Sequence, residues 1–311
     1  MRISHYLFAV LFLLTLIPSV LKAQQLGSAL INYQESITTD EEDRNLVLPS
    51  FTYSDLSTNE IYVIDGRNRV IIFSPDLFPL FTLGKRDGIE APQGLAVDNQ
   101  GYLYIAQSVS TSNTKSRISV YNACLKWERD IYLEDFEGSK AFAPYRVAID
   151  KKRNLYVAAS HFPGVFYIDR TGRTIDIIEP EEEGRKVNLN NVVIDKTGRI
   201  YVISEDESHI YVYDENRKFI YKFGEKGGST GKLSRPKAIG IDDHTGRSYV
   251  VDYMRHTISA YDKEGKYLFE FGGLGWSEGW FQHPINLTVD GKGRIFVADL
   301  FNQRVQVFNT W

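Results

Sequence analysis

Histidine and aspartate are the side chains through which this 311-residue chain could do chemistry. His161, His209, His256 and His283 fall in segments that read as loops, and imidazoles that converge can hold zinc at about 2.1 Å each. Aspartate recurs at Asp55, Asp98, Asp150, Asp195, Asp242 and Asp290, the spacing of a conceivable carboxylate ring. The turn role accounts for them better, because Asp accepts backbone N–H groups two residues on and a turn follows each one. Asp65, Asp252 and Asp299, where other strands close, are expected to bind loop amides, although Gln107, Ala159 and Ser204 hold the equivalent places. Cys124 is alone, so no internal disulfide can form. Gly227-Gly228-Ser229-Thr230-Gly231 fits a serine-nucleophile pattern, but that pattern works only at a strained strand-to-helix turn, and here it lies between strands. Gly231-Lys232 resembles the end of a phosphate loop, yet Leu233 replaces Ser or Thr and Lys226 stands where the first Gly should be.

A repeat must position these residues. The phrase Pro-x-x-apolar-x-apolar-Asp recurs at intervals of 43 to 52 residues, at 49–55, 92–98, 144–150, 189–195, 236–242 and 284–290, with Leu189 replacing Pro in the fourth copy. Several short strands per period of that length are the mark of a radial β-repeat. The fifth copy shows the unit: strand 238–241, turn 242–246, strand 248–251, strand 257–261, turn 262–265 and strand 267–271. The chain is therefore predicted to be all-β, a six-bladed β-propeller of four-stranded antiparallel blades. The blades fall near 46–88, 89–141, 142–186, 187–233, 234–281 and 282–311. The last repeat ends after its third strand, and Ser28 to Gln34 alternates ahead of the first, so residues 24–35 are expected to complete blade six. Residues 35–45 then read as a polar connector.

Residues 1–23 have the parts of a signal peptide: Arg2, an apolar run from Leu7 to Leu21, then a small residue, Ala23, before the cut. Residues 24–311 are then a single exported propeller, with no membrane span in the mature chain. Loss of Arg2 and Lys22 leaves 34 basic side chains against 40 acidic ones, which gives no electrostatic reason to bind nucleic acid. A disulfide-free exported chain of this size suits a bacterial periplasmic or secreted protein, expected to be monomeric.

Residues 219–308 combine Gly-rich loops, the Pro phrase, Tyr249-Val250-Val251-Asp252 and Asn302-Gln303-Arg304-Val305, and 61–73 repeats the theme as IYVIDGRNRVIIF. In this the chain resembles the NHL repeat family of six-bladed propellers, over essentially its whole mature length. The resemblance implies a scaffold used for protein binding, RNA binding and a few zinc lyases, so activity has to be argued from the site. In the amidoglycolate lyases of that type some metal-binding His directly follow the phrase-opening Pro. Ser50, Gln93, Tyr145, Asn190, Lys237 and Ile285 stand there in this sequence.

Chain direction puts the second-to-third and fourth-to-first loops on one face, here called upper, and the Asp turns on the lower. Third strands lie roughly 10 Å outside the innermost ones, so equivalent loops of adjacent blades start roughly 15 Å apart, too far for His161, His209 and His256 to share a metal. No metal, cofactor or catalytic residue is therefore assigned. The two residues after each phrase opening lie at the inner upper rim, and Gln93, Tyr145, Arg146, Asn190, Asn191, Lys237 and Asn286 are the candidate ligand-binding set. Arg146 and Lys237 would place positive charge at the mouth of an acidic protein, suited to a small polar or anionic ligand or to a carboxylate of a protein partner. Pairing of both with Asp252 or Asp299 is the competing expectation. Binding is the reading that results, with a metal-dependent, amidoglycolate lyase-like enzyme as the alternative.

Overall fold

The computed structural model describes residues 31–134, 136, 138–139, 142–159 and 162–310. The expected signal peptide, residues 24–30 of the closing strand, His161 and Trp311 lie outside the described residues. Six four-stranded antiparallel sheets follow one another along the chain. Their innermost strands are Phe51–Ser54, Pro92–Val97, Pro144–Ile149, Asn191–Ile194, Pro236–Ile241 and Pro284–Val289. Among the described residues no helix is long and apolar enough to cross a membrane.

Each Asp at the end of an innermost strand builds the turn that follows. Asp98 Oδ1 accepts the amides of Gln100 and Tyr102 at 2.9 and 3.0 Å, and Asp290 Oδ1 those of Lys292 and Arg294 at 2.9 and 2.8 Å. The carboxylate thus replaces backbone acceptors that a two-residue reversal cannot supply. Asp252 and Asp299 receive loop amides as expected, from Ser234 at 2.6 Å and Gln282 at 2.7 Å. In blade two Gln107 serves the same purpose with its side-chain carbonyl on the Glu90 amide.

The second and third strands of each blade carry buried apolar side chains on both sheet faces, and each of the six blade-to-blade interfaces holds its own buried cluster. The interface of blades six and one contains Ile61, Val63 and Phe73 against Phe296, Val305 and Val307. It can form only if the two chain ends meet. They meet in blade six, where Ile31–Ile37 pairs antiparallel with Arg304–Thr310, with Gln34 bulged out of the register. The strand runs two residues past the expected end at 35, because Ile37 is buried in that same interface opposite Val305.

The connector after it is not merely polar. Asp40 is buried and accepts the amides of Glu42 and Arg44, each at 3.0 Å, and the guanidinium of Arg69 in blade one. Arg69 also binds Asp65 at 2.6 Å. Burial alone would raise the Asp40 carboxyl, but the hydrogen bonds from Arg44, Glu42 and Arg69 outweigh it and hold the pKa at about 2. A second, unforeseen element is the small hairpin Glu181–Glu182 with Arg185–Lys186, between blades three and four.

Two outcomes follow for stability. Removing residues 24–37 from the mature chain reopens a sheet edge and is expected to lower the melting temperature by roughly 5 °C or more, as read by circular dichroism. An unchanged melting temperature would defeat the closure. Asp40→Asn is expected to cost roughly 2 kcal/mol at neutral pH, the scale of hydrogen bonds to a charged group. A carboxyl lowered on folding stabilises above its unfolded pKa, so the gap between wild type and variant should close as pH falls from about 3.8 toward about 2.

Candidate functional site

The inner rim is built by β-bulges. In blades two, three, five and six the Pro pairs with the end of the second strand, the next residue is skipped, and the residue after it rejoins the ladder. The bulge re-aims the skipped residue, which is Gln93, Tyr145, Lys237 or Ile285, toward the upper rim. The residues that rejoin form the next level down: Gly94, Arg146, Ala238 and Asn286, with Phe51 and Asn191 opening the strands of blades one and four.

The candidate residues separate into three groups. Arg146 donates through Nη1 to the carbonyl of Gln93, and to that of Tyr145 at 3.3 Å, and through Nη2 to the Tyr145 hydroxyl at 3.0 Å. Asn190 and Asn191 both direct Nδ2 at the Lys237 carbonyl, at 3.4 and 3.0 Å. Asn286 is buried with Thr52 of blade one, whose amide and hydroxyl donate to its Oδ1 at 2.8 and 3.1 Å. Among the described residues the Arg146 group and the Lys237 group share no hydrogen-bond partner.

Neither cation pairs with Asp252 or Asp299. Lys237 instead meets Glu205 at 2.5 Å, lies 5.6 Å from the centre of the Tyr253 ring, and shares Glu205 with Arg235 at 2.6 Å. Glu205 was not among the sequence candidates, although its place just beyond the second strand of blade four, on the upper side, was readable. Among the described residues no carboxylate pairs with Arg146. It is 3% exposed, and its guanidinium stacks on the rings of Tyr145 and Phe51 at 3.8 and 4.8 Å. Its path from blade three to blade one crosses Gly94, where a Cβ would fall 2.6 Å from the Tyr145 carbonyl and 3.2 Å from Arg146 Cδ. Burial lowers the pKa of Arg146, with the neighbouring Tyr145 opposing.

Below Arg146 the ring encloses a channel of about 130 Å³. Phe51, Arg146, Asn191 and Asn286 line its upper end, and Leu56 and Asp243, in the lower turns, line the other. Gln93, Tyr145, Asn190 and Lys237 do not line it.

The histidines behave differently from one another. His244 lies on the lower side, 2.7 Å from the Gly291 carbonyl. His209 is half-buried 3.5 Å from Glu182; burial and the Lys222 charge lower its pKa. The strand-spacing argument does not extend to His283, whose loop leads into blade six rather than joining a second to a third strand. That loop folds over blade five, so the rings of His256 and His283 meet edge to face with centres 4.4 Å apart, and His256 Nδ1 accepts the His283 amide at 2.9 Å. Tyr253 and Phe301 pack on His283 at 4.6 and 5.2 Å. Around this pair the upper face exposes Met254, Leu274, Trp276, Trp280 and Phe301, with Trp276 75% exposed. Among the described residues no three His, Cys, Asp or Glu side chains converge as metal ligands would.

The model of the family DUF5128, described as a 6-bladed beta-propeller, matches residues 178–272, just under a third of the chain. No curated protein matches the chain by sequence. Among solved structures, a protein of unknown function from Bacteroides thetaiotaomicron VPI-5482 is similar at 15% identity and a TM-score of 0.68, over 90% of this chain and 76% of that one. An auxiliary nutrient binding protein from Bacteroides ovatus ATCC 8483 is similar at 14% identity and 0.67, over 90% and 77%. Virginiamycin B lyase from Staphylococcus aureus is similar at 12% identity and 0.59, over 90% and 100%. At these identities the likeness is one of fold: this chain is a six-bladed propeller.

His256 and His283 together offer zinc two ring donors at most, and the His283 amide already occupies Nδ1 of His256. Protein dialysed without chelator is therefore expected to hold no stoichiometric zinc by elemental analysis. Near one equivalent of zinc, lost on replacing both histidines with Ala, would overturn this and favour a metal-dependent lyase.

Proposed function

We propose that this chain is an exported, non-catalytic propeller of the NHL type that captures a protein partner or a small polar or anionic ligand on its upper face. In this reading residues 1–23 are removed on export and residues 24–311 form one monomeric propeller in the bacterial periplasm or outside the cell. The observation that carries the proposal is the set of exposed apolar side chains on upper loops of blades five and six, Met254, Leu274, Trp276, Trp280 and Phe301, with Phe301 connected to the Lys237–Glu205 pair through His283 and Tyr253. Monomeric proteins rarely leave large apolar side chains grouped on loops unless something covers them. Trp and Tyr, backed by a cation and a carboxylate, give a recognition surface both apolar area and polar handles. The fold it shares with proteins described as auxiliary nutrient binding proteins supports a binding role. Gln93 and Tyr145 extend the same rim on blades two and three, and in this reading the rim residues contact the ligand.

A photo-crosslinking residue at position 276 on the upper face, compared with one at 151 on the lower, tests the proposal in cells that export the protein. Adducts are expected from 276 and not from 151. Combining Lys237→Ala with Trp276→Ala should weaken capture by about tenfold or more while leaving the melting temperature unchanged. Equal adducts from both faces, or undiminished capture by the double variant, would sink the reading.

A further inference from the structure

Arg146 poses a question that the upper face does not answer. A guanidinium stays charged in proteins, and a buried charge without a counter-charge is costly. Carbonyls and π faces compensate Arg146 in part. Nη1 and Nη2 have acceptors, whereas Nε is buried with none among the described residues. Nε–H with Nη2–H is the edge of an arginine fork that fits the two oxygens of a carboxylate.

Arg146 also closes a blind channel. Its side chain reaches across the axis from blade three to Phe51 of blade one, and the cavity beneath is open toward the lower turns. The walls below are mostly apolar, with half-buried Ile149, Val193 and Ile194 facing the axis and Leu56 exposed at the mouth, and Ser54 and Thr288 are hydroxyl residues among them. Asp243 at that mouth keeps its carboxylate on the Lys196 amide at 3.0 Å. A volume of about 130 Å³ is close to that of an engineered apolar cavity of about 150 Å³ that holds benzene.

We propose that this channel is a binding site for a small monocarboxylate with a compact apolar body, entering from the lower face with its carboxylate on Arg146. The site lies on the opposite face from the one that would capture a partner and does not depend on that reading. The apolar walls exclude strongly hydrated inorganic anions, and the cation at the blind end selects against uncharged rings of the same size. Charge and shape together therefore set the class of ligand.

Calorimetric titration with benzoate, benzyl alcohol and chloride decides it. Benzoate is expected to bind wild type, with benzyl alcohol about tenfold weaker or more, since a charge-assisted bond is worth on the order of one such factor or two. Arg146→Met should remove the preference for benzoate over benzyl alcohol. Val193→Phe, which fills the channel away from Arg146, should abolish both while retaining the fold by circular dichroism. The Lys237→Ala, Trp276→Ala double variant should bind benzoate as wild type does, which separates this site from the upper face. The proposal is overturned if wild type does not bind benzoate at millimolar concentration, if chloride displaces it at equal concentration, or if Val193→Phe binds it undiminished. Should Arg146→Met fail to fold, Val193→Phe still decides the question.

Discussion

The structure depends on one constraint: six sheets packed face to face around an axis must close on themselves. Each interface is a separate buried cluster, so no central core exists to hold the ring if one interface opens. The sixth interface joins residues some 230 positions apart in sequence, including Thr52 with Asn286 and Asn59 with the Gly291 amide. Closing so long a loop has an entropic cost that the apolar contacts alone must offset, as no disulfide helps. The chain lightens that demand by placing its first described strand on its last, so blade six is stitched from both ends. Asp40 adds a buried ionic contact from the connector to Arg69 of blade one. The closing strand is thereby anchored on both sides of the seam.

Closure also dictates where function can reside. Once the inner strands converge, residues about 50 positions apart share a rim, and the bulge after each Pro decides which of two neighbours faces outward. Tyr145 and Lys237 are turned to the rim, and Arg146 and Ala238 are drawn in. The distinction rests on a register shift of one residue, and it turns one candidate cation outward and the other inward. Lys237, outward, is held by Glu205 and Tyr253 within a polar and aromatic surface. Arg146, inward, has two carbonyls, one hydroxyl and two rings for company.

The sequence was most legible where the physics is local and repeated. Strand alternation, the Asp turns and the period of the Pro phrase depend on residues within a few positions of one another, and six copies make the pattern redundant. The missing outer strand could be inferred because an incomplete last blade and a spare alternating segment imply each other. What escaped reading was lateral and unrepeated. Glu205 meets Lys237 from the neighbouring blade, the His283 loop folds back over blade five to reach His256, and Asp40 finds Arg69 from a segment that looks like a solvated linker. Each is a single contact between residues distant in sequence, so no period announces it. The hairpin at Glu181–Lys186 is likewise an insertion outside the repeat.

Gly94 shows how far one small residue can shape such a ring. The level just below the rim carries Phe51, Gly94, Arg146, Asn191, Ala238 and Asn286, and an axis this narrow has room for one long side chain to lie across it. Gly94 leaves space on the blade beside Arg146, and Phe51 on the next supplies the face on which the guanidinium rests. With a Cβ at position 94, Arg146 would be driven either up toward the rim or down into the channel. As it stands, the cation partitions the molecule. Above it lie the aromatic loops and the Lys237–Glu205 pair; below it lies a mostly apolar channel that these residues do not line. Rim and channel are thus separated by a single side chain, which Gln93 and Tyr145 hold from the rim side.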